Sequence, residues 1–171
     1  MITIRPEAHS DHASIRRVVE AAFPTRLEAD LVDLLRDRGK LLVSLVATFD
    51  GGVAGHVAFS PVCVERAGTI VARGAGLAPL AVAPEFERRG IGSALCIRGV
   101  EACAGLDMPF VVVLGEPAYY SRFAFRPASS FTLDNEYGAG DAFLALPLRA
   151  DGIPHGGGLV RYSSEFAELA L

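Results

Sequence analysis

The sequence predicts an α/β fold: a central β-sheet, antiparallel in its first half, with helices flanking it. Three observations lead to this reading. Two amphipathic helical patterns follow a short N-terminal strand pattern within the first 40 residues. Three long apolar strand segments then succeed one another through turns at Asp50-Gly51-Gly52 and Arg66-Ala67-Gly68, the pattern of consecutive hairpins. A strand next passes through a glycine turn into a helix over residues 80–95, and a wholly apolar strand at 109–114 follows that helix.

Each element has its own local signal. Residues 2–5 form a short strand. Ser10 or Asp11 can cap a helix that carries Ile15, Val18, Val19, Ala22 and Phe23 on one face and stops at Pro24. Thr25-Arg26-Leu27-Glu28 is a capping-box sequence; Leu27, Leu31, Leu34 and Leu35 follow at helical spacing, and Gly39 terminates the helix. Strands are expected at 41–49, 53–65 and 69–82. The last contains Gly74, Gly76 and Pro79, which mark a bulge or an edge opened for a ligand. A helix at 91–104, a strand at 109–114 and a short helix at 117–123 come next, then strands near 125–133 and 142–148. Gly156-Gly157-Gly158 reads as a flexible connector, and the last 22 residues carry no clear pattern.

Composition narrows the function classes. A chain of 171 residues, 51% of them hydrophobic, fits one domain spanning 1–171 that buries roughly 70% of its unfolded surface. The net charge of −4 speaks against nucleic acid as a partner. No run of about 18 apolar residues and no basic-then-apolar start is present, so a soluble, cytoplasmic protein with no membrane partner is expected. Cys63, Cys96 and Cys103 include no Cys-x-x-Cys pair, which indicates neither a disulfide framework nor a zinc knuckle. Cys96 and Cys103, seven apart on one helix face, read as buried thiols. His9-x-x-His12 lacks a third ligand nearby, so no metal is expected. His155-Gly-Gly-Gly lacks the Gly-x-Ser-x-Gly partner of an esterase and reads as a linker.

The chemistry concentrates at residues 80–95. Pro84 ends a strand, and Gly90 and Gly92 open a helix. Glycines let backbone approach a ligand closely, and free N–H groups at a helix start attract phosphate. Two common phosphate motifs are excluded. Gly-Lys-Ser/Thr does not occur, the only lysine being Lys40, and the third glycine of a dinucleotide fingerprint is replaced by Leu95. The stretch instead resembles the acyl-CoA pyrophosphate loop of the GNAT superfamily of N-acyltransferases, Gln/Arg-x-x-Gly-x-Gly/Ala. Gly90 and Gly92 match it, and Glu87 departs at the Gln/Arg position. Tyr120, Ala124 and Phe125 likewise resemble the family's Leu-Tyr-x-x-x-Gly-Phe signature, while Val113 stands where the family often has an asparagine. Gly115-Glu116-Pro117, residues 56–62 and residues 136–138 are similar to a bacterial subgroup of predicted N-acetyltransferases. The element order over residues 1–148 is also that of the GNAT fold.

The resemblance implies a mixed central sheet in which two parallel strands splay apart, with acetyl-CoA as cosubstrate and no metal. Leu80, Ala81 and Val82 would serve the pantetheine arm, and Arg88, Arg89, Gly90, Ile91, Gly92 and Ser93 the pyrophosphate. Tyr120 would donate a hydrogen bond to the departing CoA sulfur, and strand N–H groups would stabilise the oxyanion. The acceptor would be a primary amine of a small molecule or peptide, in a pocket near Glu28 and His56, with Ser60 on the same strand face. Simpler roles stand beside these. Glu28 can partner Thr25, His56 can be a strand histidine satisfied within the fold, Tyr120 can be a core aromatic, and Glu116 can cap the short helix. Tyr119 is expected to face away from Tyr120 and to pack. The departures at Glu87 and Val113 keep open a second class of function, a non-catalytic acyl-CoA sensor or partner-docking domain. The sequence does not fix the oligomeric state; a homodimer is one option.

Overall fold

The computed structural model describes all 171 residues. Strand β1 (Ile2–Pro6) leads into helices α1 (His12–Ala22) and α2 (Leu27–Asp37). Strands β2 (Val43–Phe49), β3 (Gly52–Arg66) and β4 (Thr69–Val82) form two hairpins. Helix α3 (Ile91–Gly105) crosses to β5 (Phe110–Leu114), and the short helix α4 (Pro117–Tyr120) follows. The chain ends with β6 (Arg126–Pro127), β7 (Leu133–Asn135), β8 (Phe143–Pro147), β9 (Gly158–Tyr162) and α5 (Ser164–Glu168).

The strands form one mixed sheet in the order β1-β2-β3-β4-β5-β8-β6, with β9 pairing both β3 and β7. Alternation divides its two faces, and a bulge in β4 between Leu77 and Leu80 shifts the phase of that strand. On one face Val57, Phe59, Leu77, Val111 and Val113 meet Leu95, Cys96 and Cys103 of α3. On the other, Val46 and Ala81 meet α1 and α2, while Val62, Phe110, Val112 and Tyr162 meet Leu31 and Leu35. Both expected thiols are fully buried, and burial pushes Cys96 and Cys103 up to about 12. No helix is long and apolar enough to cross a membrane.

The structure corrects several local expectations. The strand expected near 125–133 is broken: only Arg126–Pro127 pairs with β8, and Ala128–Phe131 turn as a 3-10 segment. Pro127 offers no N–H to a ladder, and the Ser130 hydroxyl donates to the Pro127 carbonyl at 2.6 Å, closing the turn. The capping box is displaced. α2 begins at Leu27, whose N–H reaches Thr25 Oγ1 at 3.3 Å, and Glu28 meets the Thr25 hydroxyl rather than a backbone N–H. Asp11 precedes α1 without capping it; its carboxylate takes the Ala8 N–H at 2.7 Å and the Arg5 guanidinium at 2.6 and 3.0 Å.

Gly156-Gly157-Gly158 is not a flexible connector. Gly157 has φ +59°, and a Cβ there would collide with the Thr132 carbonyl. The glycines let the chain pass against residue 132 and enter β9, which takes up the second half of β3 (Val62–Glu65) beyond the reach of β2.

A largely buried polar cluster ties the helical layer to the sheet. Arg36 grips Glu7 through two hydrogen bonds of 2.9 and 2.8 Å. Burial raises the Glu7 pKa, but Arg36 outweighs it and holds the carboxyl below its ordinary range. His56, fully buried on β3, lies 2.8 Å from Ser44 Oγ and 3.9 Å from Glu7. Burial pushes its pKa down to about 4, against the pull of Glu7, so the ring is neutral at pH 7. The unfolded chain therefore binds a proton at His56 that the folded chain refuses between pH 6.5 and 4, and stability falls as pH drops through that window, by about 3 kcal/mol in full. Urea midpoints measured from pH 7 to 4 should fall more steeply for the wild type than for His56→Gln; parallel slopes would remove His56 from the acid sensitivity.

Candidate functional site

The site originates where β4 and β5 separate. They pair in parallel at Ala75–Val111, Gly76–Val112 and Leu77–Val113, and there the pairing stops. β5 stays with β8 to its end, whereas β4 stays with β3 through Val82. The Ala83 N–H donates to Ala54, so ladder alternation turns the Ala81 backbone toward β3 and the Leu80 and Val82 backbone toward the opened side. Leu80 and Val82 both line a cleft of about 590 Å³, while Ala81 is buried beneath α1. Of the three strand residues expected to serve a ligand, the structure leaves two with free edges.

The cleft ends at the turn before α3. Arg88, at φ +62°, and Gly90, at φ +80°, adopt left-handed conformations, which turns their N–H groups into a concavity. The N–H groups of Arg88, Arg89 and Gly90 find no protein acceptor, and those of Ile91, Gly92 and Ser93 belong to the first helical turn, which has none to offer. The first satisfied donor is Ala94, to the Gly90 carbonyl at 3.0 Å. Six consecutive unpaired donors thus lie at the positive end of a 15-residue helix, and all of their residues except Arg89 line the cleft, an arrangement fit for a phosphate or pyrophosphate. Glu87 also lines the cleft. Arg89 lies over the rings of Phe49 and Phe86, at 5.3 and 5.7 Å.

Two residues without an assigned ligand role in the sequence reading stand at this end. Arg122 crosses from α4's end, donates to Ser93 Oγ at 3.2 Å and stacks 4.7 Å over Tyr119. Tyr119 lines the cleft; a Cβ on Gly92 would come within 2.8 Å of its hydroxyl. The signal was present in the spacing. Residues 119 and 122 are three apart in a helical turn and share a face, which separates them from Tyr120.

Tyr120 packs in the core beside the end of β5 and does not itself line the cleft. Its ring packs edge-on against Tyr119 at 4.9 Å and Phe125 at 5.7 Å, and rests on Gly115, the residue after β5. It is 8% exposed, and burial raises its pKa, so the hydroxyl keeps its proton and is available as a donor. Glu116 starts α4 without a side-chain cap bond.

A second cavity, of about 290 Å³, lies at the start of the β4–β5 gap. Glu28 borders it together with Leu77, Leu114 and Tyr162. The structure does not bring His56 and Ser60 there. Both are fully buried in β3 and line neither the cleft nor this cavity. No cluster of three or more His, Cys, Asp or Glu side chains is arranged to hold a metal ion.

Comparison with known proteins gives a consistent result. A family model described as an acetyltransferase (GNAT) domain matches residues 3–128. A protein of Escherichia coli K12 named "Uncharacterized N-acetyltransferase YhbS" is 37% identical over 165 residues, 95% of this chain and 97% of its own. The crystal structure of E. coli YhbS in complex with CoA superposes with a TM-score of 0.90 at 36% identity, over 97% of this chain and 92% of that one. A GNAT family acetyltransferase of Brucella melitensis in complex with acetyl-CoA superposes with a TM-score of 0.80 at 34% identity, over 97% and 98% of the two chains.

Proposed function

The chain belongs to the GNAT acetyltransferase family, and from that premise we propose that it transfers the acetyl group of acetyl-CoA to a primary amine of a small molecule or peptide. The observation that carries this reading is the row of unsatisfied N–H groups from Arg88 to Ser93, set at the end of a cleft that runs along a free strand edge. A diphosphate matches the row, and an amide-bearing arm matches the exposed edge of Leu80 and Val82. Arg122, beside Ser93, adds a cation at the same end. Acetyl-CoA would supply an activated thioester. The chain's part is to hold it, to leave the gap open for a nucleophile and to keep a hydrogen-bond donor, Tyr120, beside the end of β5. A tyrosine gives up its proton less readily than a thiol near pKa ~8.5. With its pKa raised further, Tyr120 acts chiefly as a donor to the departing sulfur. Tyr119 sits by Gly92 at the phosphate end and is assigned to cosubstrate binding. Three free thiols without a disulfide fit a reducing, cytoplasmic setting.

Acetyl-CoA at 100 times its Kd should stabilise the folded protein by about 2.7 kcal/mol. Gly90→Val, which places a branched side chain at φ +80°, should abolish that stabilisation in thermal melts, whereas Glu87→Gln should change it little because backbone makes the site. Equal small effects from both would move the cosubstrate elsewhere.

Tyr120→Phe removes a hydroxyl that bonds to no protein group, so its melting temperature should match the wild type. Its kcat should fall by ~10²–10⁴ with acetyl-CoA affinity retained, while Tyr119→Phe should act on the acetyl-CoA KM instead. Normal turnover by Tyr120→Phe would assign sulfur protonation to another group.

A further inference from the structure

We infer that the acceptor amine is carried on a compact apolar body, aromatic or branched, seated in the 290 Å³ cavity that β9 and α5 close over the start of the β4–β5 gap. This inference rests on the acetyl-transfer reading and specifies its substrate class. Position comes first. Leu77 ends the paired part of β4 and Leu114 ends β5, and both line the cavity. It therefore opens where the two strands begin to part, while the long cleft follows Leu80 and Val82 farther along the same strand.

The walls set the chemistry. Leu31, Leu77, Leu114 and Phe166 give only hydrocarbon, and Tyr162 gives only its ring because its hydroxyl is buried. A sugar placed there would lose water against mostly hydrocarbon walls, and a polycation would find a single side-chain carboxylate for its several charges. Glu28 is the one charged group on the wall, placed to attract an ammonium. Leu114 and Tyr137 are 37% and 38% exposed, an apolar rim that an apolar ligand would cover. The volume lies at the small end for ligand sites, enough for one ring or a branched side chain and too small for an oligosaccharide.

The proton balance fits one carboxylate. The ammonium releases a proton through Glu28 to solvent, and the neutral nitrogen attacks the thioester carbonyl. The C–N bond forms, the C–S bond breaks with its electron pair going to sulfur, and the nitrogen loses its second proton as the sulfur is protonated. The products are an N-acetyl amide and free CoA thiol.

The test is thiol release from acetyl-CoA with phenethylamine and leucine amide against spermidine and glucosamine, alongside acetyl-CoA thermal shifts. The expected result is a kcat/KM at least tenfold higher for the two apolar amines. Leu114→Trp, which fills the rim, and Leu114→Gln, which makes it polar, should each cut that preference below threefold while the acetyl-CoA thermal shift persists. The side chain is partly exposed, so both variants should fold. Spermidine or glucosamine matching the apolar amines would overturn the inference and leave acetyl transfer standing, and an unchanged preference in both variants would overturn the cavity assignment. An acetyl-CoA thermal shift with no amine acetylated would overturn the acetyl-transfer reading, and the inference with it.

Discussion

The separation of β4 from β5 after three paired residues is the constraint on which everything else depends. Two strands that leave a sheet together cost nothing extra; two that part expose edge donors and acceptors that need other partners. Here β8 holds β5 and β3 holds β4, so each diverging strand is satisfied on its outer side and open on its inner side. Pro79 lies within the separated part of β4 and has no N–H to leave unsatisfied. The gap is thus a stable opening through an otherwise continuous sheet, with α3 on one face and α1 and α2 on the other. The long cleft and the small cavity draw on the same two strands, and the gap is the geometric link between them.

The two ends of this opening are built from different materials. At the α3 end, the unpaired donors belong to the backbone, so side-chain identity matters less there than dihedral angles. That explains how Glu87 can stand in the cleft without spoiling it. At the other end hydrocarbon side chains make the wall, and there identity is everything. Tyr119 and Tyr120, adjacent in sequence, take different surroundings, one lining the cleft and the other packed in the core, because one helical step rotates a side chain by about 100°.

Legibility followed the same division. The hairpins, α3 and the glycine turn could be read because each rests on local chemistry: alternation, turn residues, a strand running into a helix start. The broken strand at 126–131 could not, since the hydrogen bond from Ser130 to Pro127 acts only once the chain has turned. The three glycines before β9 looked like slack because composition records flexibility and not the neighbour, Thr132, that leaves no room for a side chain. His56 was misplaced for a related reason. Alternation puts it on one face of β3, but β3 is covered on both faces, so sharing a face with Ser60 says nothing about reaching a ligand. The cavity near Glu28 was half visible: α2 and β4 could be anticipated, and the wall from β9 and α5 depends on contacts far apart in the chain.

That distant wall has a consequence for how the molecule assembles. Val62 pairs with Tyr162 across about a hundred residues, whereas β3 meets β2 and β4 through tight turns. Closing so long a loop costs about 2–3 kcal/mol more in chain entropy than closing a short one, so the hairpins can zip long before β9 docks. Until it does, residues 62–65 present an unsatisfied strand edge, an invitation to pair with another chain. β9 is therefore a guard during folding as well as a wall afterward, and a slow or weakened docking would be felt first as aggregation of an otherwise well-formed sheet.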